Sequence, residues 1–244
     1  MTNLRRRDVL TGTALVLLEG SVARGAVVAG HLPWEAAPER AAPPPQPGHW
    51  VFFTAAEGPM VEALAERMIP PDPHTPGGKD AGCAVFIDRQ LAGPYGSNEG
   101  WYNRPPFRKG IKQQGPQSPT TPAELYRQGL PALEHYCRAH YGGKGWMDLS
   151  AAQQDAVLHG LEDGSAMLEG IDGKTLFEAV LKDVQQGFFA DPIYGGNRDM
   201  CAWKMIGFPG ARYDYRDWVG RHNERYPYPP VSIAGRPDWN PKGG

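Results

Sequence analysis

The sequence predicts an all-α, compact and loop-rich domain of five or six helices, followed by an irregular, aromatic-rich C-terminal segment. Two observations lead to this fold class. Four hydroxyl residues are each followed three positions later by Glu or Gln, a pattern that starts helices because side chains and backbone N–H groups satisfy one another. Apolar residues recur at helical spacing behind these starts, and no sustained alternation of apolar and polar residues indicates a β-strand.

The four predicted helix starts are Thr54, Thr121, Ser150 and Thr175, paired with Glu57, Glu124, Gln153 and Glu178. The helix after Thr54 is expected to end before Pro70-Pro71. Pro122 suits the first position of its helix, whereas Pro131 predicts a kink or the start of a second helix. One more helix is predicted in "DAGCAVFIDRQLAGPYG", from Ala81 to about Leu91.

The character of the chain changes at Gly187, where glycine, proline, arginine and aromatic residues replace the aliphatic periodicity. Eleven of the 25 aromatic residues of the chain lie between Phe188 and Trp239. Tyr, Trp and Arg are enriched in protein–protein interfaces, because rigid rings and planar guanidinium groups lose little conformational entropy on binding. The rings therefore either form a partner interface or cap the helical core, and one segment can do both.

The N-terminus has the layout of an export signal, with the basic cluster "RRRDVL" followed by the short apolar run "TGTALVLL". Arg6 and Arg7, with a variable residue and two apolar residues after them, match the twin-arginine pattern, whose route carries folded proteins. The alternative is a basic first turn of an ordinary helix. Glu19 closes the apolar run, and Ser21-Val22-Ala23 is the best match to a cleavage site.

Three regions are expected from these patterns: a signal segment over residues 1–30, a tether over 31–48 and a single domain over 49–244. The tether contains "PWEAAPERAAPPPQP", which is too rich in proline to form a helix or sheet. With 25 basic and 27 acidic residues, the chain gives no electrostatic indication of nucleic-acid binding. The N-terminal apolar run is too short to span a bilayer stably, and no further segment predicts a membrane span.

No pattern of residues predicts catalysis by this chain. There is no GxGxxG sequence after a strand, and the three cysteines lack the CxxC spacing of haem attachment or of a metal site. His135 and His140 are spaced poorly for joint metal binding, and His159 is expected on a helix surface. The carboxylates Asp155, Glu162 and Asp163 are expected to be solvated. One disulfide is expected if the chain reaches an oxidising compartment.

Four blocks give the chain a specific resemblance over about residues 50 to 218: "FFTAAEGPMVEALAERMIPPD", "DAGCAVFIDRQLAGPYG", "YRQGL" and "GFFADPIYGGNRDM" with the "AWKMIGFPGARYDY" that follows. They resemble the gluconate 2-dehydrogenase subunit 3 family, the small subunits of membrane-associated, flavin-dependent sugar and polyol dehydrogenases. The resemblance implies a partner flavoprotein that carries FAD and a multi-haem cytochrome c subunit that carries haem c. It implies no redox cofactor in the small subunit itself.

The resemblance also implies an escort role in the periplasm, on a complex associated with the inner membrane. A flavoprotein acquires FAD in the cytoplasm, so only a route for folded proteins can export it with its cofactor, and the small subunit would supply the twin-arginine signal to the translocase. The partner interface is expected between Gly187 and Trp218, with help from the tail. Its candidate residues are Tyr194, Arg198, Trp203, Tyr213 and Trp218.

The resemblance implies that the helices with Cys83 and Cys137 lie in the same packed domain, and it therefore suggests a Cys83–Cys137 disulfide. This pairing leaves Cys201 free or paired with the partner chain. The leading hypothesis is thus a non-catalytic subunit of a gluconate-type dehydrogenase complex. A stand-alone exported hydrolase with a dispersed site is the second hypothesis, and a structural or adhesion-like secreted protein is the third.

Overall fold

The computed structural model describes residues 49–100, 105–108, 110–111, 118–212 and 215–233, all of which belong to one compact unit. Its α-helices are α1 (Glu57–Met68), α2 (Cys83–Leu91), α3 (Pro122–His140), α4 (Ala151–Asp163), α5 (Gly173–Phe189) and α6 (Cys201–Ile206). Short 3-10 turns cover Trp146–Asp148, Pro192–Tyr194, Arg198–Met200 and Arg216–Trp218. The described residues contain no β-strand, and the predicted all-α fold class is confirmed. The proposed boundaries at residues 30 and 48 lie outside the described residues and stay predictions.

Three of the four predicted helix-start pairs form reciprocal hydrogen bonds. The Thr121 backbone N–H donates to Glu124 Oε2 at 2.8 Å, and the Glu124 N–H donates to Thr121 Oγ1 at 3.2 Å. Ser150 with Gln153 and Thr54 with Glu57 repeat this arrangement. These pairs satisfy N–H groups that have no partner within the first turn of a helix, which is why the pattern can be found in sequence alone.

Two predicted starts are displaced. Thr54 lies two residues before Ala56, the N-cap of α1, and the fourth predicted start, Thr175, lies three residues after the observed N-cap. Helix α5 begins at Gly173, and its N-cap is Asp172, whose carboxylate accepts the Thr175 backbone N–H at 3.1 Å and the Thr175 hydroxyl at 2.5 Å. Aspartate is as good an N-cap as a hydroxyl residue, and it competes successfully here because it also holds the Thr175 side chain.

Pro131 does not divide α3, which is one helix of 19 residues. Pro131 and Arg127 both lie on the exposed face of the helix. Because proline has no backbone N–H, the Arg127 carbonyl has no helical hydrogen-bond donor at position 131. Water can solvate that carbonyl on an exposed face. On the opposite side, the buried residues Leu130 and Leu133 hold the helix against the core.

Helix α5 is the centre of the domain, since it contacts each of the other five helices. Its residues Leu176, Val180, Val184 and Phe188 recur every four positions and are all buried. This spacing places them on one face of the helix, where they form the apolar core together with the inward faces of α1 to α4.

The buried face of α5 also carries a carboxylate, Asp183, which is only 2% exposed. The Tyr95 hydroxyl, in the loop after α2, donates to Asp183 Oδ1 at 2.8 Å. The Tyr126 hydroxyl, on α3, donates to Asp183 Oδ2 at 3.0 Å. Burial raises the pKa of Asp183, and these two hydrogen bonds offset part of that rise. One side chain of α5 thus fixes two other segments.

A second buried carboxylate attaches the segment before α1 to α2. The backbone N–H groups of Val51, Phe52 and Phe53 donate to Asp88 at 2.8 to 2.9 Å, and Arg89 pairs with the same carboxylate. Three consecutive N–H groups that would otherwise lack partners are therefore satisfied by one side chain.

The three cysteines are free in the structure, and the Cys83–Cys137 disulfide stays a prediction. Both residues are buried and belong to the same apolar core. Cys83 is the first residue of α2, whereas Cys137 lies near the end of α3.

Replacing Asp183 with Ala is expected to lower the free energy of unfolding by roughly 3 kcal/mol, because it leaves the fully buried Tyr126 hydroxyl without an acceptor. The matched control is Glu178→Ala, which removes an exposed carboxylate from the same helix. Urea unfolding of both variants measures the difference, and equal losses would contradict the structural role of Asp183.

The pKa of Asp183 also predicts the direction of a pH effect. Because the pKa is raised on folding, the folded state favours the protonated carboxyl, so its contribution to stability is complete below the unfolded pKa of about 3.9 and is lost as pH rises through the folded pKa. Asp183→Asn does not titrate and serves as the reference. The unfolding free energy of the wild type minus that of Asp183→Asn should fall with rising pH. A difference that increases with pH would contradict this assignment.

Candidate partner interface

A backbone turn with three left-handed residues other than glycine connects α5 to α6. Asn197, Asp199 and Met200 have φ angles of 46°, 53° and 55°. Each such residue other than glycine costs about 1–2 kcal/mol, so a turn of this kind persists only where its surroundings hold it. Clusters of such residues are most common at sites of binding or catalysis. We refer to residues 195–200 as the left-handed turn.

Asn197 is fully buried and holds the left-handed turn from within. Its side-chain amide donates to the Ala190 carbonyl at 2.9 Å, and its Oδ1 accepts the Ala202 backbone N–H at 2.9 Å. The first bond attaches the turn to the end of α5, and the second attaches it to the first turn of α6. Asparagine is among the residues that adopt left-handed φ angles most readily, which suits it to this position.

The left-handed turn also contacts the segment before α2. The Arg198 backbone N–H donates to the Ala81 carbonyl at 3.1 Å. Gly82 has a φ angle of 83°, and a Cβ atom at this position would lie 2.7 Å from the Gly195 carbonyl oxygen and 2.8 Å from Arg198 Nε. A side chain at position 82 would therefore separate the two segments.

Helix α6 presents apolar side chains around a buried tryptophan. Trp203 is only 6% exposed, its indole N–H donates to the Phe189 carbonyl at 2.8 Å, and its ring lies edge-on to Phe208 with centroids 5.1 Å apart. Phe189, Met205, Ile206 and Phe208 are each 43% to 58% exposed. We refer to these four residues as the α6 apolar surface.

Exposed apolar side chains are concentrated in the C-terminal part of the domain. Eight of the thirteen exposed large hydrophobic residues in the described ranges lie between Phe189 and Ile233, including the four of the α6 apolar surface. Single exposed apolar residues are ordinary, but contiguous exposed apolar patches mark surfaces that bind other molecules, so this segment is the candidate partner interface.

The tail beyond the left-handed turn folds back on the domain. The Ile233 backbone N–H donates to the buried carboxylate of Asp191 at 2.8 Å, and Gly210 pairs with Val231 in an isolated bridge. Within the tail, the Tyr226 ring packs against Trp218 at 5.0 Å, and the Arg212 guanidinium lies 5.2 Å from the centre of the Tyr226 ring. Burial raises the pKa of Tyr226, and the Arg212 charge offsets part of the rise. The tail is thus held by specific contacts.

The structure divides the five predicted interface residues. Tyr194 is 49% exposed and available to a partner. Arg198 and Trp218 are partly exposed, but Arg198 contacts the segment before α2 and the Trp218 ring packs against Tyr226 and Arg221. Trp203 belongs to the core, so for this ring the capping interpretation applies. Tyr213 lies outside the described residues.

The residues of the α6 apolar surface were missed in the sequence because Met, Ile and Phe at helical positions are usually buried. The sequence signal that could have indicated their exposure is the short spacing between "GGN" and Gly207. This spacing leaves α6 only six residues long, which is too short to bury every apolar side chain that it carries. Asn197 was also missed, although an asparagine after two glycines is a common feature of turns.

The polar residues considered for catalysis lie in surface contacts. Asp155 pairs with Arg67 at 2.7 Å, and His159 lies 3.5 Å from Glu162 on an exposed helix face. Hydrogen bonds from the side chain and the backbone N–H of Ser165 lower the pKa of the Asp163 carboxyl. Across the described ranges, no group of three His, Cys, Asp or Glu residues could hold a metal ion.

Two further features bear on ligands and membranes. A cavity of about 10 Å³ lies among apolar side chains of α1, α3, α4 and α5, which is too small for a cofactor. None of the helices in the described ranges has the length and the apolar character needed to cross a membrane.

Comparison with known proteins identifies one family. The family model described as Gluconate 2-dehydrogenase subunit 3 matches residues 55–210, a range that includes α1 to α6 and the left-handed turn. Neither the curated proteins nor the solved structures contain a match to the chain.

The contact between Gly82 and the left-handed turn can be tested with a matched pair of substitutions. Gly164 has nearly the same φ angle as Gly82, 81° against 83°, but nothing lies within 4 Å of where its Cβ would be. Gly164→Ala should therefore cost only the backbone strain of about 1–2 kcal/mol. Gly82→Ala should cost about 1–3 kcal/mol more, because the added methyl group meets the turn. Urea unfolding measures both losses, and equal values would show that the turn does not press on Gly82.

Proposed function

The chain belongs to the gluconate 2-dehydrogenase subunit 3 family, and from that premise we propose that it is the non-catalytic small subunit of a periplasmic, flavin-dependent sugar or polyol dehydrogenase complex. Membership of the family implies a multi-subunit dehydrogenase. We assign this chain the task of binding the FAD-containing large subunit, escorting it through twin-arginine export and stabilising it afterwards.

The observation that carries the proposal is the exposure of the α6 apolar surface. Its four side chains are about half exposed, and the ring of one of them, Phe208, packs edge-on against the buried Trp203. Leaving apolar area in water costs about 25 cal/mol per Å², and that free energy is recovered when a partner covers it. Rigid rings beside a buried tryptophan also lose little conformational entropy on binding, which favours a stable interface.

The left-handed turn supports the same assignment. It fixes the position of α6 through Asn197 and the contact at Gly82, so the apolar surface is already arranged before a partner binds. Tyr194, at the edge of this turn, adds an exposed aromatic ring with a hydroxyl group. A surface arranged in advance binds more tightly because less ordering is required on association.

The export part of the proposal rests on Arg6 and Arg7. A flavoprotein that has bound FAD in the cytoplasm must cross the membrane folded, and a small subunit with a stable docking surface can bind it before transport. The multi-haem cytochrome c subunit would then receive electrons from the flavin in the assembled complex. FAD and haem c are thus assigned to the partners.

Replacing Met205 with Glu is expected to weaken binding of the flavoprotein at least tenfold, or about 1.4 kcal/mol, because the carboxylate would lose its hydration inside an apolar interface. The matched control is Met167→Glu, at another exposed methionine that is 79% exposed and far along the chain from α6. Binding is measured by titrating the tagged subunit with the purified flavoprotein and following the flavin signal. Equal affinities of the two variants would place the interface elsewhere.

Replacing Arg6 and Arg7 together with Lys is expected to leave both this chain and the flavoprotein in the cytoplasm. Lysine keeps the charge but lacks the planar guanidinium that distinguishes the twin-arginine signal. Dehydrogenase activity in separated periplasmic and cytoplasmic fractions measures the effect. The control is Arg5→Lys, which alters the neighbouring arginine but leaves the pair intact. Normal periplasmic activity in the double variant would refute the escort role, while leaving the interface test unaffected.

A further inference from the structure

Cys83 and Cys201 are the first residues of α2 and α6, and the segments that precede them are in direct contact. The Arg198 backbone N–H donates to the Ala81 carbonyl at 3.1 Å. Cys83 follows Ala81 by two residues, and Cys201 follows Arg198 by three. The close approach at Gly82 keeps the two segments together over the same stretch.

Both cysteines belong to or border the apolar core: Cys83 is fully buried, and Cys201 is half-buried and packs against the core cluster. Burial raises the pKa of the Cys83 thiol to about 12, and the Cys201 thiol contributes a smaller part of that rise, which agrees with the contact between the segments that precede the two residues. The Cys201 thiol also donates to Asn197 Oδ1 at 3.7 Å, which keeps it beside the left-handed turn.

Cys137 belongs to the same apolar cluster, but no backbone hydrogen bond in the described residues joins the chain around it to the segments before α2 or α6. It lies near the end of α3, and its pKa is raised by burial first and then by the Glu134 carboxylate. The contact between the segments that precede them therefore favours Cys83 and Cys201 as the pair among the three cysteines.

We propose that Cys83 and Cys201 are a disulfide site that closes when the folded chain meets an oxidising environment. The cross-link joins the start of α2 to the start of α6 and encloses the left-handed turn. It replaces the pairing of Cys83 with Cys137 that the sequence suggested. The proposal does not depend on the identity of the partner subunit.

The oxidant is a disulfide donor, either a protein disulfide or a small-molecule one. The Cys201 thiolate, which is the more accessible, attacks the donor disulfide, forms a mixed disulfide and releases one donor thiolate. The Cys83 thiolate then attacks Cys201 Sγ and displaces the second donor half. Two electrons pass to the donor, whose disulfide becomes two thiols, and the two protons of the cysteine thiols balance its reduction.

The cross-link would act on the segment that positions the α6 apolar surface. The backbone conformation of the left-handed turn is itself unfavourable. In the reduced chain, hydrogen bonds and packing hold the turn in that conformation. A covalent bond between α2 and α6 restricts the opening of this turn. The oxidised subunit should therefore keep its docking surface arranged more persistently than the reduced one.

The test uses the full purified chain, first reduced and then incubated with oxidised glutathione. Free thiols are then alkylated with a maleimide in denaturant, so that buried thiols also react, and the non-reduced digest is analysed by mass spectrometry. We expect a peptide pair linked through Cys83 and Cys201, with Cys137 recovered as a thiol. Because both thiols have raised pKa values, the rate of linkage should increase close to tenfold from about pH 7 to about pH 8, as the thiolate fraction does.

Two variants make the test decisive. Cys201→Ser changes a half-buried residue and should abolish the cross-link, whereas Cys137→Ser should retain it. Oxidation should raise the melting temperature of the wild type and of Cys137→Ser but not that of Cys201→Ser. A Cys83–Cys137 link, glutathione retained on Cys201 without a link, or alkylation of both Cys83 and Cys201 after oxidation would each overturn the proposal.

Discussion

The hydrogen bonds of two tyrosines to Asp183 are the constraint on which the rest of the domain depends. Burying a carboxylate is unfavourable unless its oxygens are satisfied, and both acceptors here are filled by hydroxyls that lie 88 and 57 residues away along the chain. The loop after α2 and the helix α3 must therefore both be in place around α5. Apolar packing alone would tolerate small rotations of a central helix, but this network specifies one orientation. The direction in which α5 ends, at Phe189, follows from that orientation.

The C-terminal half of the structure builds outward from this fixed end. Polar side chains hold each step: Asn197 connects the end of α5 to α6, and Asp191 receives the tail at Ile233. Between them, the left-handed turn is unfavourable on its own and is held by its surroundings. The result is a short helix that cannot bury its apolar residues, beside a tryptophan that does belong to the core. Polar side chains and a left-handed turn thus hold an exposed apolar surface in place.

This arrangement suits a subunit whose task is to bind. Family membership implies a dehydrogenase assembled from several subunits, and the proposed interface gives this chain a rigid, apolar contribution to that assembly. The proposed cross-link between Cys83 and Cys201 acts on the same framework, because it joins the two segments that the left-handed turn brings together. The proposed interface and the proposed cross-link thus involve one element of the fold, the turn at residues 195–200.

The sequence by itself determined what depends on local chemistry. Helix starts at Thr121 and Ser150 follow from hydrogen bonds within four residues, and the family resemblance follows from contiguous blocks of sequence; both are confirmed. Tertiary structure decided what depends on residues far apart. Nothing local reveals that Asp183 meets two distant tyrosines, that Trp203 is covered while Phe208 is exposed, or that the segment before Cys83 contacts the segment before Cys201. Burial and side-chain pairing arise only when the chain packs, because each brings together two segments that can be far apart in sequence and close in space.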